Sequence, residues 1–575
     1  MRYQPIYDIA QLCVRHNIRQ AVLCPGSRCA PLTLAFTRHP EMTTRTFSDE
    51  RSAGFVALGM AQAANAPVVL VCTSGTAAYN LAPAVAEAYF SQTPLIIFTA
   101  DRPAEWIAQH DGQTIYQTDI FGKHVKKSFQ LPQDYDHADS LWGINRIVNE
   151  ALNLSRQLPC GPVHINAPFR EPLYPSPEEK IVYTPDVRVI REQTQFPGLS
   201  PDVMAQIQSA WSGFQNILVV AGQQDPDAEV LRVVSEFHEK HHVPVVHDLI
   251  SNLHGLRHTI QHADLFLGQS ADNLKEMLRP DLLITFGQSL ISKNLKLFLR
   301  KYPAKNHWHI QHAGPVADTF KNLTDIFFTS PKNFFEFLSS VAAPPAFDSR
   351  KQQNYYRLWE AEERRVVRAL DEFFREPALG ELAVVKTLMD NLPPESNLHL
   401  ANSMSVRYAN FIGVTGGKEG IHVFSNRGTS GIDGSTSTAV GHALHSGRPN
   451  FLITGDLAFF YDRNAFWHNY SLPNLRILLL NNHGGLIFDV LEGPSSMPEA
   501  REYFITRQKL NARKLCEEFG FGYLRPDHSG ELKNTFSDFL TFDNSTKIME
   551  LESDTLTNKK TFESLKSKIK KSYEL

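Results

Sequence analysis

Short apolar runs that stop at Gly, Ser, Asn or Asp, each followed by a helix-length segment, recur along most of this chain. The first set is QAVLC (20–24), TRTF (44–47), PVVLVC (67–72), PLIIFTA (94–100) and GPVHINAP (161–168). Helices are predicted from Pro31, over AGFVALGMAQAAN (53–65), and from the TSGTAA turn to Tyr89. A proline-rich stretch at 170–200 separates these from NILVVAG (216–222), VPVVHD (243–248), DLLITFG (281–287) and HWHIQH (307–312). Pro and Ala at 342–348 mark a second linker, and SNLHLAN (396–402), HVFSN (422–426) and the stretch 450–489 follow. Continuous apolar runs with Gly or Ser at their exits predict buried parallel strands joined by crossover helices. The expected fold is α/β, with three doubly wound parallel-sheet domains over 1–178, 190–343 and 350–575. Three blocks of similar size suggest an ancient duplication. Phe562, Leu565 and Ile569 fall at helical spacing and predict a terminal amphipathic helix docked on the body of the protein.

The stretch 450–489 concentrates the polar chemistry. Its first apolar run, 451–454, ends at Gly455-Asp456, a helix is predicted over 458–470, and a second run, 476–480, ends at Asn481-Asn482-His483-Gly484-Gly485. Strand, helix and strand of this length make a right-handed crossover, so both clusters emerge at one carboxyl edge, where open α/β sheets bind ligands. An Asp carboxylate, an Asn amide oxygen and a carbonyl in a Gly turn are hard oxygen donors suited to Mg²⁺. On these residues alone an ordinary crossover, with Asp456 capping a helix and the Asn pair forming a turn, fits equally well.

Composition narrows the class. Across 575 residues, 42% apolar and 21% charged content describes a globular protein with ample core. A net charge of −4 offers no basic field for nucleic acid. No apolar run approaches the ~18 residues of a membrane span, and the polar N-terminus lacks a signal-peptide stretch, so a cytoplasmic protein is expected. Six cysteines without a C-x-x-C pair are expected to be reduced thiols. His238, His241, His242 and His247 have no Cys or carboxylate at zinc-type spacing, and the three on one short helix are expected to form a solvated face. No G-x-G-x-x-G follows a strand, so FAD is not expected.

Gly-Asp followed some 26 residues later by Asn-Asn resembles the magnesium–diphosphate signature of thiamine diphosphate enzymes. PGSRCAPLTLA (25–35), SDERSAGFVALGMA (48–61), TSGTAAYNLAPAVAEA (73–88), TADRP (99–103), ANSMSVRYAN (401–410) and SNRGTSGIDGSTSTAVG (425–441) narrow the likeness. Together they are similar to the 2-succinyl-5-enolpyruvyl-6-hydroxy-3-cyclohexene-1-carboxylate synthase family of menaquinone biosynthesis. The resemblance implies a transferase dependent on thiamine diphosphate and Mg²⁺, with Mn²⁺ accepted in its place. It would decarboxylate 2-oxoglutarate and add the succinyl carbanion equivalent to isochorismate in a 1,4 manner, releasing CO₂.

The same resemblance assigns residues. Asp456, Asn482 and the Gly484 carbonyl would hold the metal, with Leu457 standing where many of these enzymes have Gly. Glu50 would be the catalytic acid that bonds N1′ of the aminopyrimidine and favours its imino tautomer. Ser403, Arg427, Ser430, Ile432, Ile487 and Phe488 would also touch the cofactor, Ile432 propping its bent shape. Ser27, Arg28, Arg102, Gln113, Ser403 and Arg407 would line the substrate pocket, and Lys293 would reach in from the middle domain, followed by Asn294 where the family often has a basic residue. Ile487, Phe488 and Leu491 would form an apolar wall over the reacting carbon. Both substrates are dicarboxylates, and planar guanidinium groups bind carboxylates bidentately. Without the resemblance, any single arginine here reads as a solvated surface residue and Glu50 as a helix-start carboxylate. Glu50 and Asp456 lie some 400 residues apart, and in this superfamily two subunits complete each site, which implies a homodimer or homotetramer. Another 2-oxo acid decarboxylase or carboligase, and a catalytically dead relative, stay open. The arginine set argues against the first, and intact Glu50, Asp456 and Asn482 argue against the second.

Overall fold

A computed structural model describes residues 3–176, 180–193, 198–211, 213–341, 349–375, 379–414, 420–490 and 496–574. Leu491 and the linker expected at 342–348 lie outside them.

Strands β1 (Gln20–Leu23), β2 (Thr43–Thr46), β3 (Val68–Cys72), β4 (Leu95–Asp101), β5 (Ser128–Gln130) and β6 (Val163–Pro168) form one sheet in the order β2-β1-β3-β4-β6-β5. The middle sheet takes β7 (Ile217–Ala221), β8 (Val245–His247), β9 (Leu282–Phe286), β10 (Asn306–Gln311) and β11 (Asp325–Phe328) in the order β11-β10-β9-β7-β8. The third takes β12 (Asn397–Leu400), β13 (His422–Phe424), β14 (Asn450–Gly455), β15 (Leu475–Asn481), β16 (Gly522–Leu524) and β17 (Lys547–Glu552) in the order β13-β12-β14-β15-β17-β16. Every pairing among these strands is parallel. Renumbered from its own first strand, the third sheet has the order of the first. Strand order reverses between β1 and β3, and again between β12 and β14. Crevices outside the carboxyl ends of such strands are where doubly wound sheets hold ligands.

The first and third sheets meet through two helices, Glu50–Ala64 and Ser435–His445. Asp49 caps the first, its Oδ1 accepting from the Arg51 and Ser52 N–H groups at 2.9 and 3.2 Å. The helices cross at glycines: a Cβ on Gly59 would lie 2.1 Å from the Thr438 carbonyl oxygen, and one on Gly441 would lie 2.2 Å from that of Val56. One apolar core therefore runs from Val22 and Leu70 through Val56 and Val440 to Leu452 and Ile477. A second core joins the middle and third sheets around Trp359, on the long helix Ser349–Phe373, and takes in Phe562, Leu565 and Ile569 of the terminal helix Thr555–Lys571.

Three expectations need correction. The helix predicted over 458–470 ends at Tyr461, followed by a 3₁₀ turn at Arg463–Phe466. The buried Asp462 carboxylate ends it by accepting from Ser437 N–H at 2.6 Å and Ser437 hydroxyl at 2.7 Å at the start of the neighbouring helix. The stretch after 530, from which only a terminal helix was expected, contains strand β17, between β15 and β16, whose polar side chains are paired internally. Lys547 reaches Asp538 at 2.7 Å and Asp543 at 3.0 Å, while Glu550 accepts from Asn481, Ala512 and Tyr523. His238 and His241 form no solvated face: they are buried, His238 bonding the Val243 carbonyl oxygen at 2.7 Å and His241 packing on Trp211 and Phe237.

Candidate active site

At the carboxyl end of β14, Asp456 opens a short helix and is buried. The adjacent strand β15 delivers Asn481, Asn482 and the Gly484 turn to the same edge. Burial pushes the Asp456 carboxyl above the ordinary range, partly offset by the Gln508 amide, the Leu457 N–H, the His483 charge and the Gly484 N–H. A buried carboxyl in that state gains from a cation. Gln508 Nε2 bridges Asp456 Oδ2 at 2.6 Å and Asn481 Oδ1 at 3.0 Å. Asn482 Nδ2 donates to Glu381 Oε1 at 2.6 Å, while Asn482 Oδ1 is buried without a protein hydrogen bond. The turn has room for backbone alone, since a Cβ on Gly484 would lie 2.8 Å from Ile505. A carboxylate, an orphaned amide oxygen and a turn carbonyl fit a hard divalent cation such as Mg²⁺. Among the described residues no group of three or more His, Cys, Asp or Glu side chains forms another metal cluster.

Glu50 is the first residue of the helix after β2 and is half-buried, with Asn80 Nδ2 donating to its Oε2 at 3.4 Å. It belongs to the first sheet and Asp456 to the third.

The first sheet also presents two guanidinium groups. Arg28 follows β1, is 7% exposed, and donates to the Phe169 carbonyl at 2.9 Å. Arg102 follows β4, pairing with Asp111 at 2.7 Å and donating to the Gly112 carbonyl at 2.9 Å. Burial, and then the nearby Arg102 charge, hold Arg28 below its ordinary range. Exposed Ser27 bonds the Tyr174 hydroxyl at 3.0 Å. Gln113 sits at φ 57° against the Gly75 turn after β3, in the loop that Arg102 braces.

The third sheet presents another pair. Ser403 precedes the helix Met404–Ile412 at φ 74°, and its carbonyl accepts from Arg407 Nη1 at 2.6 Å. Arg427 Nη1 donates to Asn402 Oδ1 at 2.9 Å, and its Nε is buried without an acceptor. Burial, then the Arg427 charge, lower Arg407. Ser430 at φ 62° and Ile432, 37% exposed, continue the same loop. Ile487 and Phe488 are half-buried after the Gly484 turn, with the Phe488 ring tilted against Phe504 at a centroid distance of 6.1 Å.

Lys293 is exposed at the start of its helix. Asn294, where the family often has a basic residue, is bonded to Asp264: its N–H donates to Asp264 Oδ1 at 2.6 Å and its amide to the Asp264 carbonyl at 2.8 Å. Half-buried Lys296, one turn further on, lies within reach of the Arg427 charge and is lowered by burial first and then by that charge.

Sequence reasoning missed Glu381, Gln508, Glu87 and Lys296. Glu381 sits at a helix start, where a carboxylate is ordinary; Glu87 lies within the motif 73–88 without being singled out, and Gln508 and Lys296 carry no local signal.

A parallel sheet repeated in the order of the first, with Glu50 after β2 and an oxygen-donor cluster after β14 and β15, is the arrangement expected of the thiamine diphosphate-dependent class of enzymes. Residues 7–120 match the family described as the N-terminal TPP-binding domain of thiamine pyrophosphate enzymes, and 202–400 the middle domain of that group. The fold is similar to the crystal structure of benzoylformate decarboxylase from Polynucleobacter necessarius, at TM-score 0.70 and 16% identity over 96% of this chain and 98% of that one. The 2-succinyl-5-enolpyruvyl-6-hydroxy-3-cyclohexene-1-carboxylate synthase of Cytophaga hutchinsonii is 43% identical over 99% of this chain and 100% of its own length. That of Bacteroides thetaiotaomicron is 38% identical, over 93% and 92%. The chain belongs to this synthase family of thiamine diphosphate enzymes. No helix among the described residues is long and apolar enough to cross a membrane.

Proposed function

We propose that this protein catalyses the thiamine diphosphate- and Mg²⁺-dependent decarboxylation of 2-oxoglutarate and the 1,4-addition of the succinyl unit to isochorismate, in the cytoplasm. The observation that carries the substrate assignment is the doubling of guanidinium groups. Arg28 feels the charge of Arg102, and Arg407 that of Arg427, although all four are at least partly buried. Arg28 and Arg102 are held by Glu171 and Asp111 at 3.4 and 2.7 Å; one dicarboxylate substrate would take the place of these partners, and Arg407 and Arg427 would receive the other.

Asp456, the Asn482 amide oxygen and the Gly484 carbonyl would hold the cation that binds the diphosphate. Ser403, Arg427, Ser430, Ile432 and Leu457 would line the cofactor, and Ile487 and Phe488 would keep water from the reacting carbon. When bound, thiamine diphosphate supplies the electron sink for loss of CO₂ from a 2-oxo acid. Glu50 would hold a proton at N1′ of its pyrimidine. Ser27, Arg28, Arg102, Gln113, Lys293 and Arg407 would orient the substrate carboxylates. Glu50 and Asp456 stand on different sheets, and, as the family resemblance implies, each site would be completed by two subunits in a homodimer or homotetramer.

The test is a single incubation of protein, Mg²⁺, thiamine diphosphate, 2-oxoglutarate and isochorismate, followed by mass. The adduct of isochorismate and a succinyl unit is expected, with none when pyruvate replaces 2-oxoglutarate. Equal product from pyruvate would refute the dicarboxylate assignment.

A further inference from the structure

The Asn482 amide has a donor end and an acceptor end, and a half-turn about its last bond exchanges them. Only one orientation presents oxygen to a cation; the other presents N–H groups that repel it. Asn482 Nδ2 is held at 2.6 Å by Glu381 Oε1, and Asn482 Oδ1 is then the buried atom without a protein hydrogen bond. With Glu381 ionised, turning the amide over would set its oxygen against a carboxylate oxygen, so that two acceptors met without a donor.

Glu381 is itself held in place. It is 1% exposed at the first turn of the helix Glu381–Asn391. Its backbone N–H donates to Asn558 Oδ1 at 3.2 Å. The terminal helix adds a second hold, with Thr555 Oγ1 donating to the Asn482 carbonyl at 3.2 Å. Asn558 is tied in turn to Ser553 Oγ at 2.8 Å.

From this geometry we propose that Glu381 is a positioning residue that fixes the Asn482 amide with its oxygen toward the divalent cation, braced by the start of the terminal helix. The proposal rests on the reading of Asp456, Asn482 and Gly484 as the metal site. Groups behind metal ligands orient them, and losing one typically weakens metal affinity about 10- to 100-fold.

The test uses Mn²⁺ as a spin probe, titrated into full-length protein with thiamine diphosphate and followed by electron paramagnetic resonance. Glu381→Leu, which keeps bulk but removes the acceptor, is expected to weaken Mn²⁺ binding by about tenfold or more. Glu381→Gln, whose carbonyl can still accept from Asn482, is expected to stay within about threefold of the wild type. Should Glu381→Leu fail to fold, Glu381→Asp withdraws the same acceptor by one methylene and is expected to bind weakly too. Asp456→Ala reports on the site itself: retained Mn²⁺ binding there would refute the site and the proposal together. Loss in Asp456→Ala beside wild-type affinity in a folded Glu381→Leu or Glu381→Asp protein would overturn the positioning role alone.

Discussion

The carboxylate of Glu87, on the first domain, and Thr429, on the third, are joined by two hydrogen bonds. Glu87 Oε2 accepts from the Thr429 N–H at 2.6 Å and its hydroxyl at 2.7 Å, while Oε1 accepts from the Gly428 N–H at 2.8 Å. The middle domain holds the same loop: Ser289 Oγ donates to the Arg427 carbonyl at 2.8 Å and Gln223 Nε2 to the Ser425 carbonyl at 2.9 Å. Arg427, Ser430 and Ile432 are thus carried on a loop fixed by residues of all three sheets.

Glu87→Ala removes the acceptor of three donors in a buried setting. It should lower unfolding free energy by about 3 kcal/mol. Chemical denaturation measures this, and an unchanged midpoint would show that the loop is held without Glu87.

Glu50→Gln keeps the shape of the side chain and removes its acid. Turnover should fall by about 100-fold or more, while affinity for thiamine diphosphate, measured by calorimetry, should fall by less than about tenfold. Undiminished turnover would exclude a proton-holding role.

Arg407→Ala deletes one member of the third-domain guanidinium pair. The Michaelis constant for one of the dicarboxylates should rise about 10- to 100-fold, the loss of a charge-assisted hydrogen bond of roughly 1.5–3 kcal/mol. Normal saturation by both substrates would place Arg407 outside the pocket.

His262 and Glu363 form a buried pair, with His262 Nδ1 2.6 Å from Glu363 Oε1 and the His262 N–H donating to Glu363 Oε2 at 3.0 Å. Burial pulls His262 down, but the Glu363 charge and hydrogen bond outweigh it and leave the imidazole above 6.5. Burial pushes Glu363 up, but the His262 charge and its hydrogen bonds leave it below 4.5. The histidine's contribution is therefore complete below pH 6.5 and is lost as pH rises through its raised value. The glutamate's contribution is present above pH 4.5 and is lost as pH falls through its lowered value. The stability gap between the wild type and His262→Gln should be widest between these limits and shrink toward alkaline pH, as read from denaturation midpoints. A gap that grew above pH 7 would contradict the assignment.

Much of the architecture was legible in the sequence because its causes are local. A strand buried on both faces reads as an apolar run: β3 and β7 are unbroken, and β4, β9, β14 and β15 carry apolar stretches interrupted or ended by polar residues such as Thr285 and the buried Arg476. Residues at a strand exit reach the carboxyl edge whatever the rest of the chain does, so Asp456 and Asn482 could be placed together from spacing alone. Strand β17 was hidden because its buried Lys547 and Glu550 are compensated by Asp538, Asp543, Asn481 and Tyr523, and hydropathy sees the charges without their partners.

The order of apolar runs and turn residues by itself determined three parallel sheets and which polar clusters leave their carboxyl edges. Only the tertiary structure decided which groups stand behind those clusters. Glu381 meets Asn482 across 101 residues, Gln508 meets Asp456 across 52, and Glu87 meets Thr429 across 342. Such meetings are fixed by how helices pack over the sheets, where glycines let backbones touch, and a buried polar atom settles on whichever group that packing brings within hydrogen-bond reach.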